Sequence, residues 1–203
     1  MVHLAIAIEL CDALSWEASP AFLLGSLAPD AIHMRPESAR EDKSRVHLHQ
    51  AIEAEGPAAV RRLFESLAAA DASLRDLALG YAVHLLTDAL WVERVFYAFR
   101  ADLALPRDQE RELYYRETDE VDRLLYEGSP WRPQIWRTLA AARPADLPGL
   151  LSADEIGRWR DRTLAWFDTL PAAPEPPRYL TYACIQAFIA GATAAIAEEV
   201  QEW

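Results

Sequence analysis

Apolar residues recur at helical spacing along almost the whole chain, and nowhere do they alternate over a run long enough to build a strand. Apolar residues and Ala fill Leu4–Leu14. Ser19 and Pro20 then make a cap and first-turn pair ahead of AFLLGSL, and Pro29 stops that short segment just before Asp30. The same spacing predicts helices over Ala51–Ala70, Ala72–Phe99, Asp108–Tyr126, Pro133–Ala142, Ala153–Leu170 and Arg178–Glu199. Ser152 and Glu155 carry the pattern of a capping box at the start of one of them. Prolines between Pro144 and Pro148, and between Pro171 and Pro177, separate the last helices. With no internal repeat and no glycine-rich phosphate loop, the pattern predicts an all-α fold. It reads as one domain over residues 1–203, an irregular multi-helix bundle with room for a polar metal site between helices.

One segment raises a membrane question. Tyr179–Ala197 carries no charge and is long enough to span a bilayer. Its alanines, and the Thr, Gln, Gly and Tyr that interrupt it, favour a helix buried on most sides within the bundle over a transmembrane span. The 20 basic residues against 32 acidic ones leave a formal charge of -12, which gives no footprint for the backbone of double-stranded nucleic acid. Small phosphate substrates stay open, because a metal centre supplies positive charge that the formal count omits. Cys11 and Cys184 are too few for a disulfide scaffold and lack the short spacing of a thiolate metal site. Together with an N-terminus that has no basic region before its apolar run, they point to a reduced, cytoplasmic protein. Oligomeric state is left unconstrained.

The chemistry concentrates in two stretches, GSLAPD at Gly25–Asp30 and GYAVHLLTDALW at Gly80–Trp91. His84 and Asp88 stand four residues apart, so both emerge on one helix face among Leu85, Leu86, Leu90 and Trp91. An ionised carboxylate in such a setting is costly without a partner, and either a metal ion or a His–Asp hydrogen bond between helices would supply one. Asp30 follows Pro29 within an apolar stretch; a Pro-Asp pair taken alone is most often a helix cap or turn. His33, three residues on, is placed to ligate the same centre or to orient Asp30. His3 sits in the first helical turn, where a solvated terminus is the plain alternative. His47 and His49, if they open a helix, diverge by about 200 degrees, so only one faces a given cavity. In the acidic helix Gln109–Tyr126 most carboxylates read as solvated surface. Asp122, flanked by Val121, Leu124 and Leu125, is the one expected to turn inward, with Glu117 and Thr118 as alternative oxygen donors. All five histidines precede residue 85, and the candidate ligands come from separate segments, as in a site assembled by folding.

FLLGSLAPD with His33, the charged run into Lys43 with VHL at Val46–Leu48, and GYAVHLLTDALW together resemble the zinc-dependent phospholipase C family. That family is related more distantly to the multi-zinc single-strand-specific nucleases. The resemblance runs from His3 to about Tyr126, and beyond it the chain matches mainly in being helical. It implies an all-helical metallohydrolase in which His3, Asp30, His47, His84 and Asp88 are metal ligands, with His47 preferred over His49. It also implies that a metal-activated water attacks a phosphodiester, with Asp30 bridging or receiving the water's proton. The relatives cluster three zinc ions using a later His, His and Glu set, and this chain has no histidine after His84. Asp122, Thr118 or Glu117 replace that set only in part, so one or two Zn²⁺ ions are expected. Fe, Mn and Ni suit the same mixed nitrogen and oxygen donors. The expected partner is a small phosphoester or a lipid headgroup. The alternative is a metal-stabilised structural or binding protein without turnover, whose ligands would close into a sealed tetrahedron.

Overall fold

A computed structural model describes residues 1–101, 103–171 and 175–203. Among these residues the fold is all-α, with eleven α-helices joined by 3₁₀ and π turns and no strand beyond an isolated bridge between Leu147 and Leu151. Helix α6 (Arg75–Trp91) runs through the middle and touches α1 (Val2–Leu14), α2 (Pro20–Gly25), α5 (Pro57–Ala70) and α11 (Tyr182–Val200). Its composition explains its place. Leu77, Ala78 and every residue from Gly80 to Thr87 are buried, as befits a helix that is apolar on all sides. Around this axis stand α3 (Arg40–Val46), α4 (His49–Glu55), α7 (Tyr97–Ala101), α8 (Arg107–Gly128), α9 (Arg132–Ala141) and α10 (Ala153–Trp166).

Helices α2 and α6 pack backbone against backbone, and two glycines allow it. A Cβ on Gly25 would overlap the Leu77 carbonyl oxygen, and one on Gly80 would overlap the Phe22 carbonyl oxygen. Only residues without side chains let the two backbones touch in this way. These glycines open the GSLAPD and GYAVHLLTDALW stretches, so the contact brings the start of one against the start of the other. Ser19 begins α2 as its sequence suggests, its hydroxyl accepting from the Phe22 N–H at 3.1 Å with Pro20 next.

Several predicted boundaries shift for physical reasons. The helix expected over Ala51–Ala70 is two, because Gly56 takes φ 59 and ψ -144 and Pro57 then opens α5. After Trp91 the expected long helix passes through a π turn, Val92–Phe96, before α7. Helix α11 begins at Tyr182, where the Thr181 hydroxyl caps it, instead of at Arg178. It also buries one face only. Ile185, Phe188, Ile189, Ala192, Ile196 and Val200 pack inward, while Ala183, Ala187, Ala190 and Ala194 are exposed. Among the described residues it is the one helix long and apolar enough to cross a membrane by length and composition. The proline-rich separator from Pro171 to Pro177 lies partly outside the described residues. The Ser152 capping box is complete: Glu155 N–H donates to Ser152 Oγ at 3.2 Å and Ser152 N–H to Glu155 Oε2 at 2.7 Å.

Candidate metal centre

Four elements converge on one cluster of donors. His3 comes from the first turn of α1, Asp30 from the 3₁₀ segment Ala28–Met34, His47 from the residue after α3, and His84 with Asp88 from α6. The Asp88 carboxylate is the hub. It lies 3.0 Å from His3 Nε2, 3.4 Å from His84 Nε2 and 3.8 Å from His47 Nε2, and His47 Nε2 lies 3.6 Å from Asp30 Oδ1. The His3 and His84 rings stack at 3.8 Å with 5° between their planes. Two sets of donor atoms lie within 4.8 Å of one another: those of His3, Asp30 and His84, and those of His47, His84 and Asp88. Ligands about 2 Å from a common ion fall within that spacing.

The second nitrogens of two rings fix how they present themselves. His84 Nδ1 is 2.8 Å from the Ser26 carbonyl oxygen, and His47 Nδ1 is 3.1 Å from the Lys43 carbonyl oxygen. A carbonyl only accepts, so both Nδ1 atoms donate, and in the neutral ring Nε2 is left with a lone pair. Both Nε2 lone pairs then face carboxylate oxygens, an arrangement that is repulsive unless a proton or a cation stands between them. His84 Nε2 is buried and has no aligned hydrogen bond among the described residues. An orphaned buried nitrogen aimed at a carboxylate, with its other nitrogen anchored on a carbonyl, is the outer-shell pattern of a metal-ligating histidine. The donor set therefore fits a divalent ion. Because Ser26 engages Nδ1, His84 has one nitrogen to offer and serves a single ion.

Positioning comes from the core. Tyr81 is fully buried, and its hydroxyl donates to the Val46 carbonyl oxygen at 2.6 Å, tying the end of α3 to α6 one residue before His47. Arg35 binds Glu155 through Nε at 2.7 Å and the Leu150 carbonyl through Nη2 at 2.9 Å, locking the segment that bears Asp30 to the start of α10.

Charges in the cluster are strongly coupled. Burial opposes ionisation of Asp88, yet the field of His84 and the hydrogen bond from His3 outweigh it and hold the carboxyl well below its ordinary range. Burial likewise opposes charge on Asp30, and contact with His47 with the fields of His84 and His3 pulls its pKa down. His3 is lowered by burial and by His84; His84 is raised, because Asp88 and Asp30 more than offset its own burial. The two stacked rings are thus pushed in opposite directions.

The cluster is not sealed. The side chains of His47 and His84 are 2% and 1% exposed, but those of Asp30 and Asp88 keep 30% and 37%. They form the floor of a cleft of about 720 Å³ walled by aromatic residues of α6, α8 and α10. No family model matches the chain, and neither does any curated protein or solved structure.

The remaining expected donors are distributed around the cleft or away from it. Asp122 lines the cleft, but its carboxylate is engaged by the Met1 α-amino group at 2.9 Å and stands outside the converging sets. Thr118 also lines it, with its hydroxyl turned back onto the Tyr114 and Tyr115 carbonyl oxygens at 3.0 Å each. Glu117 stands outside the converging sets: it is buried, and accepts from the backbone N–H groups of Arg178, Tyr179 and Leu180 at 2.8–3.0 Å. It ties α8 to the segment leading into α11. His33 lies in the cleft wall, 3.5 Å from Lys43 Nζ, and is not among the converging donors. His49 is exposed, and the reason overturns the shared-helix argument. Leu48 takes φ 51, so the chain reverses between His47, which caps α3, and His49, which opens α4. Sequence reasoning missed the wall made by α10, where Trp159, Arg162, Thr163 and Trp166 face the cleft. Their spacing of three, four and seven residues was the available signal.

Proposed function

We propose that the chain is a metal-dependent hydrolase acting on a phosphoester, most simply a phosphodiester, with zinc held by His47, His84, Asp88 and Asp30 and with His3 at a neighbouring position through Asp88. The observation that carries this reading is the buried His84 Nε2 lone pair, aimed at Asp88 at the bottom of an open cleft. A structural metal site would enclose its ion in protein ligands, whereas two carboxylates about a third exposed leave a face open to solvent and substrate. An ion such as Zn²⁺ supplies Lewis acidity toward a phosphoryl oxygen and brings the pKa of a water toward neutrality.

The chain's own residues divide the remaining work. Ser26 and Lys43 carbonyls keep His84 and His47 in the tautomer that presents Nε2 inward. Asp30, whose carboxyl is held far below neutrality, suits a ligand and an acceptor that orients water better than a proton store, since a general base needs a pKa nearer the working pH. Aromatic side chains of α6, α8 and α10 line the sides of the cleft.

The test is a comparison of purified protein, stripped of metal and then reloaded with zinc, iron, manganese or nickel. Metal content and turnover are measured on generic phosphodiester, lipid and nucleotide substrates. Metal-dependent release of product is the expected result. Tight stoichiometric metal with no turnover across the panel would make the centre structural.

A further inference from the structure

The wall of the cleft carries charge opposite to its floor. On α10, the Arg162 guanidinium carbon lies 5.3 Å from the Trp159 ring centre and 5.5 Å from that of Trp166. Both indole rings hold it within cation–π range, and none of its N–H groups has a hydrogen-bond partner among the described residues, so they are available to an anion. Lys43 lines the same cleft, with its Nζ 3.5 Å from His33 Nε2; the His33 ring in turn lies 5.8 Å from Trp159. His33 and Trp159 thus bridge two cations that both line the cleft.

Lys43 and Arg162 are the two Lys or Arg side chains that line the cleft, in a chain with 32 acidic residues against 20 basic ones. Among the described residues neither Lys43 nor Arg162 forms an ion pair, although acidic partners abound. Neither pairs with Asp30 or Asp88, so the two cations stand apart from the donor cluster within the same cleft.

We propose that Lys43 and Arg162 form a second anion subsite, and that the substrate is a phosphoester carrying a second phosphate besides the one that reacts. The inference rests on the phosphoester reading above and names its substrate class. Two cations match the charge of a phosphate monoester, close to two negative charges at neutral pH, better than that of a lone carboxylate. A stacked guanidinium offers the fork that phosphate oxygens accept, and the lysine adds a mobile point charge.

The test uses binding, so that it does not depend on turnover. Zinc-loaded protein, with metal content checked before and after, is titrated calorimetrically with 1,3-propanediol monophosphate and 1,3-propanediol bisphosphate. Inositol 1-phosphate against inositol 1,4-bisphosphate, and uridine monophosphate against uridine diphosphate, distinguish a lipid headgroup from a nucleotide as the source. The bisphosphate of at least one pair is expected to bind about tenfold more tightly, the weight of one charge-assisted hydrogen bond. In Lys43→Gln and Arg162→Gln the two affinities of that pair should converge. Equal affinities within every pair, no binding of any ligand, or a preference that survives both substitutions would overturn the subsite. A preference that obeys the variants in a protein that hydrolyses nothing would leave the subsite standing and remove the catalytic reading.

Discussion

Replacing Asp88 with Asn keeps nearly the same side-chain shape and removes one negative charge at the hub of the donor cluster. Its carboxylate lies between 3.0 and 3.8 Å from the Nε2 atoms of His3, His84 and His47, so a cation shared by those nitrogens sits against it. Two unit charges 4 Å apart attract by ~4 kcal/mol at an effective dielectric near 20. That is roughly a thousandfold in affinity. Zinc supplied at a thousandfold excess over its dissociation constant stabilises the folded chain by about 4 kcal/mol, and after such a weakening the same concentration contributes about 0.4 kcal/mol. For a chain of this size each kcal/mol moves the melting temperature by about 2–4 °C, so a zinc-induced rise of about 8–16 °C should shrink to about 1 °C. Thermal melts with and without zinc, alongside competition against a chromophoric chelator, measure both quantities. A variant whose melting rise and zinc affinity equal those of the wild type would refute the coordination model.

Other substitutions separate the centre from its supports. Gly80→Ala forces a methyl group into the Phe22 carbonyl and should cost about 3 kcal/mol of stability in urea unfolding, while also weakening zinc binding. Glu117→Gln should lose about 1.5–3 kcal/mol in the same measurement, because a charged acceptor of three backbone N–H groups becomes neutral, with zinc stoichiometry unchanged by elemental analysis. His47→Ala should weaken zinc at least about 100-fold by chelator competition, and His49→Ala should leave it within error.

The pairing of His84 with Asp88 was legible because a helix enforces its own period, and four residues on a helix mean one face. The all-α class was legible for the same reason. What sequence alone could not separate was His47 from His49, since the answer depends on a left-handed Leu48 that no local pattern announces. The break at Gly56–Pro57 did leave a signal, a turn-former followed by a residue suited to a first helical turn, which the apolar spacing on both sides overrode. Glu117 was indistinguishable from its neighbours in a run of acids, because its partners are backbone amides about 60 residues away. The exposed face of α11 was hidden by composition: alanine fits a core and a surface alike, so an uncharged run does not say which side faces in.

The glycine contact between α2 and α6 also bears on what ion binding would do to the fold. Two main chains in direct contact set the separation of Ser26 from His84, so the aim of the imidazole is built into the scaffold before any cation arrives. Many small metallodomains acquire their shape from the ion and unravel without it. A frame held by its own backbone contact predicts that adding zinc leaves the helix content unchanged in far-UV circular dichroism.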